Sequence, residues 1–138
     1  IIVIDECQTF FEKRTNKEEN ALIQDIVRLA TSLVKKGRSA GITLIATTQK
    51  PTSESLPTGL RDNCPLRVCF RVTTKEAQKA ALGDTSGDDR IDALSIRNAG
   101  GAVILSEKGD ASRVRFYYMS PSDQERLIND EAAKRKNP

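Results

Sequence analysis

The chain has 138 residues, of which 30% are charged and 38% hydrophobic, and its net charge is +3. That length supports one ordinary domain with a real core, and that composition excludes a disordered chain. No apolar run approaches the roughly 18 residues needed to cross a bilayer, no signal peptide is visible, and so mild a charge does not by itself imply a nucleic-acid partner.

Histidine is absent, and Cys7, Cys64 and Cys69 show no CxxC spacing. The first fact removes His-based general bases, Ser-His-Asp triads and His-ligated metals. The second argues against a disulfide scaffold or zinc site and for a reducing compartment. Chemistry on this chain must run on carboxylates, amides and cations.

Residues 1–4, IIVI, form an aliphatic run that predicts a strand buried on both faces. Residues 16–37, NKEENALIQDIVRLATSLVKKG, predict a helix. Asn16 is placed to cap it, with Glu19 three residues on. Leu22, Ile23, Ile26, Ala30, Leu33 and Val34 share one face. Lys35 and Lys36 suit its negative end, and Gly37 suits the C′ position. ITLIATT, residues 42–48, predicts a second buried strand. Residues 51–57 read as a loop, and 57–62 as a short turn or helix. LRVCFRV, residues 66–72, alternates as a third strand with Val68 and Phe70 on one face. Arg67 and Arg71 share its other face and suit a structural or interfacial role. TKEAQKAALG is a short helix ending at Gly83, followed by a loop over 84–90. Residues 101–106 and 112–119 predict a strand pair joined across 107–109. Ser120 and Pro121 open a last helix as cap and first residue, fraying over 132–138. Strands alternating with helices predict an α/β domain with a mainly parallel sheet. In such sheets ligands sit at the carboxyl ends of the strands.

Asp5 and Glu6 stand at such an end. An aliphatic run followed by two acids has two readings. One is a strand leaving the core for solvent. The other is a Walker B motif, in which the Asp orients Mg²⁺ and the Glu polarises the water that attacks ATP. Gln49 stands at the same end of the second strand. There a neutral amide can hydrogen-bond a γ-phosphate or the attacking water, although alone it would be an ordinary loop residue.

The stretches KKGRSAGITLIATTQKP and LPTGLRDNCPLRVCFRVTTKEAQKAALG make the chain resemble the FtsK/SpoIIIE family of DNA-translocating ATPases, well over residues 1–83 and loosely beyond. It departs from the family pattern at Thr43, where His is common, at Lys50, where Arg is usual, and in KEAQKA. The resemblance implies a RecA-like P-loop NTPase core. It makes Asp5 the Mg²⁺-associated acid, Glu6 the catalytic base and Gln49 the γ-phosphate sensor. Arg38, in GRSAG, matches an arginine finger that reaches a neighbouring subunit's ATP; on physical grounds alone it reads as a solvated Arg beside a helix end. Lys50, Arg61, Lys75 and Lys79 match pore-facing positions that contact the DNA backbone, where charge at suitable spacing suffices. Taken singly, each also reads as a surface cation.

GxxxxGK[ST] does not occur in the sequence. In this family it lies upstream of the Walker B strand. The expectation is therefore the C-terminal part of a motor domain. Alone, it would hydrolyse ATP poorly or not at all and expose apolar surface. The function implied is a share in an ATP-driven, sequence-independent double-stranded DNA translocase, serving chromosome segregation or conjugative transfer. It would work as a homo-oligomeric, hexameric ring in the cytoplasm, with a membrane tether possible through the missing region. Two alternatives stand beside it: a protein-secretion ATPase of the same type, and a non-catalytic binding module that keeps the fold. The four cations favour DNA over protein as cargo. The joint presence of Asp5, Glu6 and Gln49 speaks against a degenerate module.

Overall fold

The computed structural model of the chain describes residues 1–52, 54–84 and 91–136. Strand β1 (Ile2–Ile4) is followed by a single-turn helix α1 (Gln8–Phe11) and the long α2 (Lys17–Lys36). Strand β2 (Leu44–Ala46), the short α3 (Thr58–Arg61), β3 (Arg67–Phe70), α4 (Lys75–Leu82), β4 (Gly101–Leu105), β5 (Ala111–Arg115) and α5 (Pro121–Lys136) complete the order.

β1 and β2 pair in parallel, with Ile2 opposite Leu44 and Ile4 opposite Ala46. β3, β4 and β5 form a second, antiparallel sheet in that order. The α/β class holds, but the parallel pairing expected to dominate is confined to β1 and β2. The reason is local. β4 and β5 are joined by a tight turn, which only an antiparallel pair can use, and β3 adds to the free edge of that hairpin.

Helix α2 forms where its signals place it. Asn16 caps it by accepting the Glu18 N–H at 2.8 Å. Its inward face packs Ile26, Val27, Ala30 and Val34 against Ile4, Leu44 and Ala46, together with Phe11, Leu60 and Cys7. The opposite face of the strand pair is open: Val3, opposite Ile45, is 62% exposed. The expectation of a β1 buried on both faces is therefore corrected. One helix layer covers one face, and the aliphatic run reports hydrophobicity rather than coverage. The exposed apolar surface expected of the chain is present at Ile1, Ile2, Val3 and Ile45.

The helix end also differs from expectation. Gly37 is right-handed, with φ −66°, and the chain tightens into a 3₁₀ turn over Gly37–Ala40. The left-handed stop comes at Gly41, with φ 67°. A Cβ on Gly37 would lie 3.2 Å from the Ile42 Cβ, so this glycine serves a close approach rather than a turn.

The second core forms between the antiparallel sheet and α4, from Cys69, Leu82, Ile91, Ala93, Ile96 and Val103. Thr74 caps α4 by accepting the Ala77 N–H at 3.1 Å. Val68 and Phe70 share one face of β3, as expected: Cys69 points into the core, while those two lie on the open side. There Phe70 packs on Phe116, with ring centroids 5.4 Å apart. Arg67 has the structural role expected of it, its Nη1 donating to the Leu82 carbonyl at 2.9 Å. The helix beginning at Ser120 and Pro121 is α5, whose Asp123 N–H is capped by the Ser120 hydroxyl at 3.2 Å. It runs as helix to Lys136, into the stretch expected to fray. Apart from Asp84, the loop expected over 84–90 lies outside the described residues.

Burial pushes the Cys7 and Cys69 thiols up from the usual 9.0 to about 11 each, Cys7 with help from the Glu6 and Asp5 carboxylates. A raised folded-state value favours the native state below pH 9, and that preference is lost as the pH climbs through 11. Urea midpoints are therefore expected to fall between pH 8.5 and pH 11. Replacing both thiols by Ala should flatten the part of that fall due to thiol ionisation; an unchanged slope would refute the assignment.

Candidate nucleotide-hydrolysis site

Parallel pairing brings the carboxyl ends of β1 and β2 side by side, and the chain turns sharply after each. The Cys7 N–H donates to the Thr47 carbonyl at 2.8 Å and the Thr47 N–H to the Ile4 carbonyl at 3.0 Å. The two exits are thus tied together one residue beyond the strands.

Glu6 is the one non-glycine residue with positive φ among those described, at 50°. This left-handed conformation costs on the order of 1–3 kcal/mol and persists only where its surroundings enforce it. Here they do. The Glu6 N–H donates to Asp5 Oδ1 at 3.0 Å. The Glu6 carbonyl accepts the Thr9 N–H at 3.0 Å and its hydroxyl at 2.9 Å. The kink turns the Glu6 side chain across to the β2 exit, where Gln49 Nε2 donates to its Oε1. Gln8 Nε2 donates to Oε2 at 2.6 Å. Thr47 donates its hydroxyl to Asp5 Oδ1.

The structure therefore joins Asp5, Glu6 and Gln49 in one cluster. It adds three residues that the sequence reading missed: Gln8, Thr47 and Thr48. The signal was faint, an amide two residues after the acids and two hydroxyls at a strand exit. Asp5 supplies a hard carboxylate oxygen, exposed at the strand end. Mg²⁺ takes one or two carboxylates together with phosphate oxygens and water, so this donor set fits it. Among the described residues there is no group of three or more His, Cys, Asp or Glu able to hold a metal unaided.

The remaining predicted residues lie elsewhere. Arg38 sits in the 3₁₀ turn that leads into β2, at the end of the strand pair opposite Asp5. It pairs with Glu107 at 3.4 Å, both side chains being largely exposed at 81% and 63%. Such a pair contributes at most about 1 kcal/mol. Lys50 follows Gln49 directly and reaches Glu12 at 3.0 Å. The buried Ser55 fixes its loop, bonding the Lys50 carbonyl through its hydroxyl and accepting the Thr52 N–H at 2.9 Å. Lys75 and Lys79 are exposed one turn apart on α4, Lys79 pairing with Asp84 at 3.1 Å. Arg61 departs from the expectation of a solvated cation. Its side chain is 17% exposed, bound to Asp62 at 3.0 Å and to the Ala80 carbonyl at 3.5 Å, and it ties α3 to α4.

No family model matches the chain. It is 28% identical over 125 residues to the DNA translocase FtsK of Staphylococcus aureus, covering 91% of this chain. It is 29% identical over 108 residues, 78% of its length, to FtsK of Leptospira interrogans. The chain is thus similar in sequence to FtsK DNA translocases. The chain spans only 14% and 11% of the length of those two relatives. Among solved structures it superimposes on the pCW3 conjugation coupling protein TcpA, in its monomer form with ATPγS, with a TM-score of 0.79 and 20% identity. That match covers 98% of this chain and 36% of TcpA, and shows that the fold is shared.

Proposed function

We propose that this chain is the Walker B portion of a motor that hydrolyses ATP to move double-stranded DNA without regard to sequence. The observation that carries the reading is the contact between Glu6 and Gln49, made across parallel strands at the carboxyl end of the sheet. A carboxylate held by a strained backbone, with a neutral amide on one oxygen, is arranged to accept a proton from water and to respond when a phosphate competes for the amide. Asp5 would hold Mg²⁺, which when bound neutralises developing charge on the phosphates. The phosphate-cradling loop is supplied by other sequence, in keeping with relatives far longer than this chain.

Arg38 lies away from these carboxylates, so in this reading it serves the nucleotide of a neighbouring copy in a ring of six. Lys50, Lys75 and Lys79 serve the DNA backbone, while Arg61 is retained for packing. The motor works in the cytoplasm, with three cysteines free of disulfide bonds as support.

The test is ATP turnover by the natural polypeptide that carries this segment, with and without duplex DNA. Duplexes of unrelated sequence are expected to raise the rate equally, and the apparent affinity to fall steeply as salt rises. Turnover indifferent to DNA but raised by an unfolded polypeptide would replace the cargo with protein. A complete lack of turnover would leave a binding module.

A further inference from the structure

Gln8 belongs to none of the motifs, yet it connects the two halves of the site. Its Nε2 donates to Glu6 Oε2 at 2.6 Å, and its Oε1 accepts the Thr48 hydroxyl at 2.5 Å. The Thr48 Oγ1 in turn accepts the backbone N–H of Lys50 at 3.1 Å. A continuous chain of hydrogen bonds therefore runs from the backbone of Lys50, through Thr48 and Gln8, to Glu6.

The two amides on Glu6 differ in how firmly they are held. Gln49 is exposed and stands on the β2 exit. Gln8 is half-buried in the first turn of α1, next to the fully buried Cys7, whose N–H is bonded to Thr47. A side-chain amide can present either its NH₂ or its oxygen to a neighbour. The Glu6 carboxylate, which can only accept, takes the NH₂, and the Thr48 hydroxyl holds that orientation by donating to Oε1; without Thr48 the amide keeps one anchor of two and its position loosens.

We propose that Gln8 is a positioning residue that fixes the orientation of Glu6 and couples it to the backbone of the Lys50 loop. In this arrangement duplex DNA engaged by Lys50 shifts the Lys50 backbone and with it Thr48, and Gln8 passes the shift to Glu6. Nucleotide turnover is thereby tied to the presence of DNA. The inference rests on the reading of Glu6 as the base and Lys50 as a DNA contact.

The test uses the natural polypeptide with Gln8→Met, which keeps the length and removes the hydrogen bonds, with Thr48→Val, and with both. Gln8→Met is expected to lower the DNA-stimulated kcat by about tenfold while the KM for ATP changes by less than about twofold, the pattern of a misplaced base rather than a lost binding contact. Thr48→Val is expected to lower it by about threefold, and the double variant to match Gln8→Met alone, since both break one chain. The ratio of DNA-stimulated to basal rate falls in all three. Wild-type kcat in Gln8→Met, or single effects that multiply in the double variant, would overturn the proposal, provided Glu6→Gln is inactive. If Glu6→Gln turns over normally, the assignment of the base is what fails. If Gln8→Met does not fold, Thr48→Val decides: an unchanged stimulation ratio overturns the coupling, and a reduced ratio with unaltered KM supports it.

Discussion

Glu6→Gln is expected to lower ATP turnover by roughly 10²- to 10⁴-fold in the natural polypeptide, the range spanned by removal of a positioned general base. Nucleotide binding should persist, because the substitution keeps the size and one oxygen of the side chain. The Gln49 amide can still donate to that oxygen. The backbone at position 6 keeps its supports, since the Asp5 carboxylate, the Thr9 N–H and the Thr9 hydroxyl all bond main-chain atoms. The variant thus separates chemistry from folding. Steady-state turnover measured beside binding of a fluorescent ATP analogue decides the matter. Turnover within tenfold of the parent at unchanged affinity would reduce the acid pair to the polar end of a strand.

The features legible in the sequence were those with a local cause. Helix α2 was legible because Asn16 supplies a cap and its apolar residues recur on one face. The β4–β5 pair was legible because a turn sits between two strand-like runs, although the second strand ends at Arg115 and leaves the apolar residues after it, expected within the strand, outside. The adjacency of Asp5, Glu6 and Gln49 was legible because parallel neighbouring strands bring their carboxyl ends together. What escaped depended on relations between distant segments. Gln8, Thr47 and Thr48 are ordinary polar residues until the β1 and β2 exits are tied together, and nothing in their spacing marks that. The left-handed Glu6 is likewise a consequence of tertiary bonds, since glutamate has no preference for that conformation. Which face of β3 is covered was not legible, because alternation marks two faces without saying which one packs; the core took the smaller Cys69 and left the aromatic to pair with Phe116. Arg61 was taken for a free cation because sequence does not show that α4 presents a carbonyl beside it.

Leu82→Ala is expected to destabilise the fold by about 2–5 kcal/mol. Leu82 closes α4 and is 1% exposed, packed with Cys69, Ile91, Ala93, Ile96 and Val103. Collapse of the cavity left by truncation is opposed from two sides. Arg67 holds the Leu82 carbonyl at 2.9 Å, fixing the helix end. Gly83, with φ 90°, stops the helix directly after Leu82 and anchors its own N–H on the Lys79 carbonyl at 2.9 Å. A site that cannot relax carries the larger part of the range. Against a typical domain stability of about 5–15 kcal/mol this loss is severe. Leu29→Ala, on the solvent face of α2, is the matched control and should fall within about 0.5 kcal/mol of the parent. Urea unfolding of the two variants side by side measures the difference. A loss below about 1 kcal/mol for Leu82→Ala would mean that the second core is not packed around this side chain, and that β3 and α4 are held together by their polar contacts instead.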